Sequence, residues 1–134
     1  MNVAKTWQIP FPVEQVYAAW VSSTTVIPPA TRMEVEPRVG GHYRLFMETA
    51  EFTGRNEGEF LLVEPNARVR YTWEWNNDGE VTTIDVTFAA ADAGTQVTQV
   101  NLMHTGFTSQ ASADTHDAGW EAYIEGFIQL LQTS

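Results

Sequence analysis

The chain has 134 residues, 43% of them hydrophobic, with 5 Trp, 4 Tyr and 7 Phe, which is enough to build one sizeable core and too apolar for a disordered chain. The net charge of −10 is unevenly spread: residues 1–70 hold all 7 Lys and Arg and 8 of the 17 acidic residues, while residues 71–134 hold 9 acidic residues and no base. A half-chain with nothing to neutralise phosphates argues against a nucleic-acid partner and against anionic membrane surfaces.

Val3–Ile9 reads as a short strand, ended by Pro10 and Pro12. Pro12 suits the first turn of a helix over Val13–Val21, where Val13, Val16, Tyr17 and Trp20 recur at helical spacing. Ser22-Ser23-Thr24-Thr25 breaks that helix, and Val26–Thr31, with Pro28-Pro29, reads as a loop with room for one helical turn. Arg32–Glu36 is a short strand, and Gly40-Gly41 marks a bulge or a turn with positive φ.

His42–Met47 is the next strand, with Tyr43, Leu45 and Met47 on one face and His42, Arg44, Phe46 and Glu48 on the other. Thr49–Gly54 is a loop, Arg55–Glu64 a strand with an apolar centre at Phe60–Val63, and Pro65-Asn66-Ala67 a turn. Arg68–Trp75 alternates most clearly: Val69, Tyr71, Trp73 and Trp75 point one way, and Arg68, Arg70, Thr72 and Glu74 the other. Such a strand is half-buried and antiparallel. After the turn at Asn76–Gly79, Glu80–Ala90 and Thr95–Met103 are two more strands around Asp92-Ala93-Gly94, with Ile84, Val86 and Phe88 on one face.

The last stretch, Thr108–Ser134, is a long helix. At about 100° per residue its apolar arc runs through Tyr123, His116, Phe127, Trp120, Leu131, Ile124 and Ile128, centred on Phe127. Asp117, Glu121 and Glu125 fill the opposite arc, and Gly119 and Gly126 sit at one edge of the apolar one, where a backbone can come close. Strands in succession with helices at the ends predict an α+β fold, with an antiparallel sheet covered by the terminal helix and no boundary inside residues 1–134.

Several segments together resemble a known superfamily. These are Ile9–Trp20 (IPFPVEQVYAAW), Pro37–Gly41 (PRVGG), Glu64-Pro65, Tyr71–Trp75 (YTWEW), Gly94-Thr95, His104–Phe107 (HTGF) and Gly119-Trp120. In this order and spacing they are similar to the START-like helix-grip superfamily (SRPBCC). Within it they look most like the subfamily named after the homologue of the activator of heat-shock protein 90 ATPase. The resemblance implies a helix-grip fold: a curved antiparallel β-sheet wrapped around a long C-terminal α-helix, two short helices after the first strand, and a cavity between sheet and helix. It further implies binding of lipids, sterols, polyketides or hormones, with cyclisation or dehydration in some members. The subfamily often carries an aromatic after the small helices. Val26–Met33 has none, so the cavity mouth is expected to differ in size and access.

The residues offer little chemistry beyond a pocket. His42, His104 and His116 lack the spacing of a helical zinc site, and the absence of cysteine removes disulfides and thiolate-held metals. His42 and His104 read as surface or strand-end residues, and no metal or cofactor is expected. No pair of carboxylates shares the inner face, so no catalytic residue is assigned. The aromatic set stands out: Tyr43, Tyr71, Trp73 and Trp75 on the sheet face Trp120, Tyr123 and Phe127 on the helix. So many rings with polar tips are awkward in a dry core. With Leu45 and His116 they form the expected binding set for a small, largely apolar molecule, aromatic, ring-containing or lipid-like. A chaperone-associated interaction module and a polyketide-cyclase-like enzyme are the alternatives. A homodimer stays open. No run of about 18 apolar residues could span a membrane, Met1–Pro12 does not read as a signal peptide, and a cytoplasmic location is expected.

Overall fold

Alternation of apolar and polar residues sets the sheet. The computed structural model describes residues 2–28, 30–92 and 96–133. Seven strands, β1 (Val3–Ile9), β2 (Arg32–Val35), β3 (His42–Glu48), β4 (Thr53–Glu64), β5 (Arg68–Trp75), β6 (Val81–Ala90) and β7 (Thr98–Thr105), pair antiparallel in the order β1-β7-β6-β5-β4-β3-β2. Two helices, α1 (Val13–Trp20) and α2 (Gln110–Thr133), complete the described elements. This is the helix-grip fold: α2 lies along the apolar face of the curved sheet.

The inner face is built from every second residue. Val69 and Tyr71 of β5, Ile84, Val86 and Phe88 of β6, and Val100 and Leu102 of β7 are all buried. The four-residue apolar run on β4 is resolved by a bulge between Phe60 and Leu62. The extra residue lets Phe60 and Val63 face Tyr71 and Val69, while Leu61 turns outward, 44% exposed. The glycine pair serves the same corner: Gly40 (φ 85) donates to the Phe60 carbonyl, and the Phe60 amide donates to Gly41, each at 2.9 Å. The outer face is polar and ion-paired, with Arg68 and Arg70 both on Asp85 at 2.7 and 2.8 Å.

Of the two short helices implied after β1, α1 alone forms among the described residues. Pro12 is its N-cap, with φ −67, and its carbonyl accepts the Gln15 and Val16 amides at 3.0 Å. Val16, Tyr17 and Trp20 are the buried face. Residues 22–28 instead make isolated turns, because Thr25 turns its hydroxyl back onto the Ala19 carbonyl at 2.6 Å and Pro28 has no amide to donate. The expected turn at Asp92-Ala93-Gly94 falls largely on residues 93–95, outside the described residues.

α2 begins at Ser109, whose side chain accepts the Ser112 amide at 3.1 Å. Its apolar arc is oriented as the wheel predicts: Ile124, Phe127 and Leu131 are buried, with Phe127 at 0% exposure. Trp20 from α1 meets that arc, its ring 5.3 Å from Phe127, 5.4 Å from Tyr123 and 6.0 Å from Trp120. Burying side chains of this size stabilises by about 1.5–3 kcal/mol each. On the polar arc, Lys5 of β1 pairs with Asp117 at 2.7 Å and Glu121 at 2.8 Å, fixing the rotation of α2 over the sheet edge.

Candidate functional site

Between the inner sheet face and the N-terminal half of α2 lies a cavity of about 530 Å³. Its sheet wall is Tyr43, Leu45 and Met47 from β3, Asn56 from β4, and Tyr71, Trp73 and Trp75 from β5. Its helix wall is Ser112, Thr115, His116, Gly119, Trp120 and Tyr123. Ile27 and Pro28 stand at one side, in the segment where a subfamily aromatic was missing.

Eight of the nine residues picked from the sequence line this space: Tyr43, Leu45, Tyr71, Trp73, Trp75, His116, Trp120 and Tyr123. Trp75 is the outermost, 42% exposed. Phe127 does not line it. It lies one turn beyond Tyr123, fully buried, and fills the core beneath Trp20. An arc centred on a residue marks the deepest position, which is core, while a cavity lies toward one end of such a helix.

The rings are held by one another. Tyr43 stacks on Tyr71 at 4.9 Å and meets Trp73 edge-on at 5.5 Å. Trp120 stacks on Trp20 with 14° between planes. The Trp20 indole donates to the Tyr71 hydroxyl at 3.2 Å, so a buried phenol and a buried indole satisfy each other. Burial pushes the Tyr43 phenol up to about 12, with the nearby Tyr123 hydroxyl acting the other way. Tyr71 and Tyr123 are raised well above the usual phenol value, by burial first and by neighbouring phenols second. All three are therefore protonated donors at neutral pH and none is a phenolate base.

His104 was expected at a strand end or surface and is instead fully buried on the cavity wall. It continues the inward series Thr98, Val100, Leu102 on β7, a period-two signal that the sequence carries. Its Nδ1 accepts the Trp120 indole N–H at 3.0 Å. An indole nitrogen only donates, so the His104 proton is on Nε2, which meets the Thr82 hydroxyl at 2.7 Å. That hydroxyl donates to the Trp73 carbonyl at 3.0 Å. Burial, and next the proximity of His116, push His104 down to about 3, with Glu80 opposing. It is neutral and structural.

A second polar group is bonded to Ser112 of the helix wall. Glu80 accepts the Ser112 hydroxyl at 2.5 Å, and the Thr108 hydroxyl and amide at 2.6 and 2.7 Å. Those bonds, the Ser112 one foremost, hold its carboxyl at about 2. Its function is to fasten the start of α2 to the β5–β6 turn. Asp78 at the rim is the one carboxylate on the cavity wall among the described residues. No group of three or more His, Asp or Glu among the described residues could hold a metal ion. What the cavity offers is shape, aromatic surface and a few hydrogen bonds.

Over residues 10–132 the sequence matches the family model described as Activator of Hsp90 ATPase homolog 1-like protein. The chain belongs to this AHSA1 family. The family assignment agrees with the motif order noted above and with the sheet–helix geometry. No curated protein is detectably similar in sequence. Among solved structures, MLL2253 from Mesorhizobium loti superimposes with a TM-score of 0.82 at 23% identity, covering 100% of this chain and 98% of that one. PFC0360w, an HSP90 activator from Plasmodium falciparum, gives 0.82 at 19% identity over 98% and 96%. DynU16, from the dynemicin biosynthetic locus, gives 0.79 at 18% identity, covering 98% of this chain and 47% of that one. Likeness at these identities establishes the shared fold. No helix among the described residues is long and apolar enough to cross a membrane.

Proposed function

We propose that residues 1–134 act as one helix-grip domain that binds a small, largely apolar, ring-containing molecule between the sheet and α2. The observation that carries this reading is the cavity of about 530 Å³, within the usual range of ligand pockets, walled by aromatic rings from both sides. The neutral state of Tyr43, Tyr71 and Tyr123 and a lining without Lys or Arg support a ligand that is not an anion. Tyr43, Leu45, Tyr71, Trp73, Trp75, His116, Trp120 and Tyr123 are the proposed contacts.

A chaperone-associated module is the second reading. It is favoured by the family and by the naming of PFC0360w as an HSP90 activator. The working face would then be the acidic outer arc of α2. Native mass spectrometry of freshly purified protein separates the two readings. A retained mass of a few hundred daltons supports ligand binding. A retained protein, with an empty cavity and no uptake of added apolar compounds, contradicts it.

A further inference from the structure

His116 is placed differently from the other polar groups of the cavity. Its Nδ1 lies 2.8 Å from the Ser112 carbonyl, one turn back on α2. A carbonyl only accepts, so the neutral ring carries its proton on Nδ1 and presents a bare lone pair at Nε2. The ring is clamped by Phe107 at 5.0 Å and by His104, edge-on, at 5.1 Å. No group among the described residues hydrogen-bonds Nε2. Yet no buried side-chain nitrogen or oxygen among them lacks a partner, so Nε2 is accessible, on a residue that lines the cavity.

Space for a ligand atom exists beside it. Gly119 is three residues on, on the same helix face, and a Cβ built there meets nothing within 4 Å. Of the other acceptors on the wall, Asn56 Oδ1 already takes the Asn76 amide and Asp78 Oδ1, at the rim, the Glu80 amide. The phenols of Tyr43, Tyr71 and Tyr123 hold their protons and can donate, and His104 has both ring nitrogens engaged.

We propose that His116 Nε2 is the hydrogen-bond acceptor that orients the ligand, so that the cavity selects ring compounds bearing a hydroxyl or N–H donor over equally apolar ones without it. This rests on the cavity-binding reading. It goes further by naming the group that the ligand must carry and the residue that reads it. A neutral hydrogen bond of this kind is worth about a fivefold preference.

The probes are 2-naphthol and 2-methylnaphthalene, matched in shape and differing in the donor. Binding is read by isothermal titration with wild type, His116→Phe and His116→Gln. Wild type should take both and favour 2-naphthol about fivefold. His116→Phe should lose the preference, read as the ratio of the two affinities, and His116→Gln, with an amide oxygen, should restore part of it. In wild type labelled with ¹⁵N-histidine, the Nε2 resonance of His116 should move with 2-naphthol and stay with 2-methylnaphthalene. That measurement decides the matter even where a variant does not fold. Equal affinities in wild type, a preference that survives His116→Phe, or an unmoved Nε2 resonance overturns the proposal while the binding reading stands. No uptake of either probe ends both.

Discussion

Trp120 of α2 and His104 of β7 form a donor–acceptor pair, with the indole nitrogen 3.0 Å from Nδ1. Through the other ring nitrogen the pair continues to Thr82 and then to the Trp73 carbonyl. The helix wall and the sheet wall of the cavity are thus linked by one buried chain of hydrogen bonds. Each member is satisfied only while His104 is neutral, since Nδ1 must accept.

The first prediction is a pH dependence. His104 has an ordinary value near 6.5 when unfolded and about 3 in the fold. A depressed folded value means that the unfolded chain takes up the proton first. Stability is full above about 6.5 and is lost as pH falls toward 3. Between pH 7 and pH 5 the loss from this group is about 2 kcal/mol. Urea unfolding of wild type and His104→Gln at both pH values measures it. The wild type should lose about 2 kcal/mol more than the variant, and parallel losses would show that His104 is protonated in the fold.

A second prediction concerns the two glycines of α2, which sequence reading treated alike as points of close approach. A Cβ on Gly126 would sit 2.7 Å from Ile27 Cγ2, whereas one on Gly119 meets open space. Gly119→Ala should therefore stabilise by up to about 1 kcal/mol through helix propensity. Gly126→Ala should fall about 1–3 kcal/mol below it, because the gain is offset by overpacking against a buried side chain. Chemical denaturation gives both values, and equal effects would contradict the assigned helix rotation.

Phe127 and Glu125 test the same rotation from the other side. Phe127 is fully buried and Glu125 is exposed. Phe127→Ala should cost about 3–5 kcal/mol, and Glu125→Ala should stay within about 0.5 kcal/mol. Comparable losses in denaturant unfolding would place the wrong face inward.

Much of this arrangement is legible in the sequence. β1 and β5 have the bounds that alternation and proline set, and the face carrying Tyr43, Tyr71 and Trp73 follows from period two. The misses have physical causes. His104 was left outside its strand because a polar residue at the end of an apolar series reads as an exit to solvent, although Thr98, Val100 and Leu102 point it inward. Met47 lines the cavity from the same face as Tyr43 and Leu45, although the expected set stopped at Leu45. Asn56 lines the cavity from a strand whose apolar centre lies elsewhere, and its carbonyl oxygen accepts the Asn76 amide at 3.1 Å, a partner twenty residues away. Ser112, Thr115 and Asp78 reach the mouth through the docking of α2 on the β5–β6 turn, which no local pattern encodes. Trp120 is both wall and core. It stacks on Trp20 and bonds His104, so its truncation strands a buried nitrogen as well as opening the pocket.

The most direct test of the central claim is a titration with N-phenyl-1-naphthylamine, an uncharged two-ring fluorophore, followed by quenching of tryptophan emission. Trp73, Trp75 and Trp120 line the cavity and Gly119 opens it, so wild type should show a saturable 1:1 response. Gly119→Phe, which fills the open space while keeping the helix, should abolish that response without lowering the unfolding midpoint by more than a few degrees. A wild type with no saturable response, or a Gly119→Phe variant that binds as tightly as wild type, would contradict the cavity between sheet and helix as the binding site.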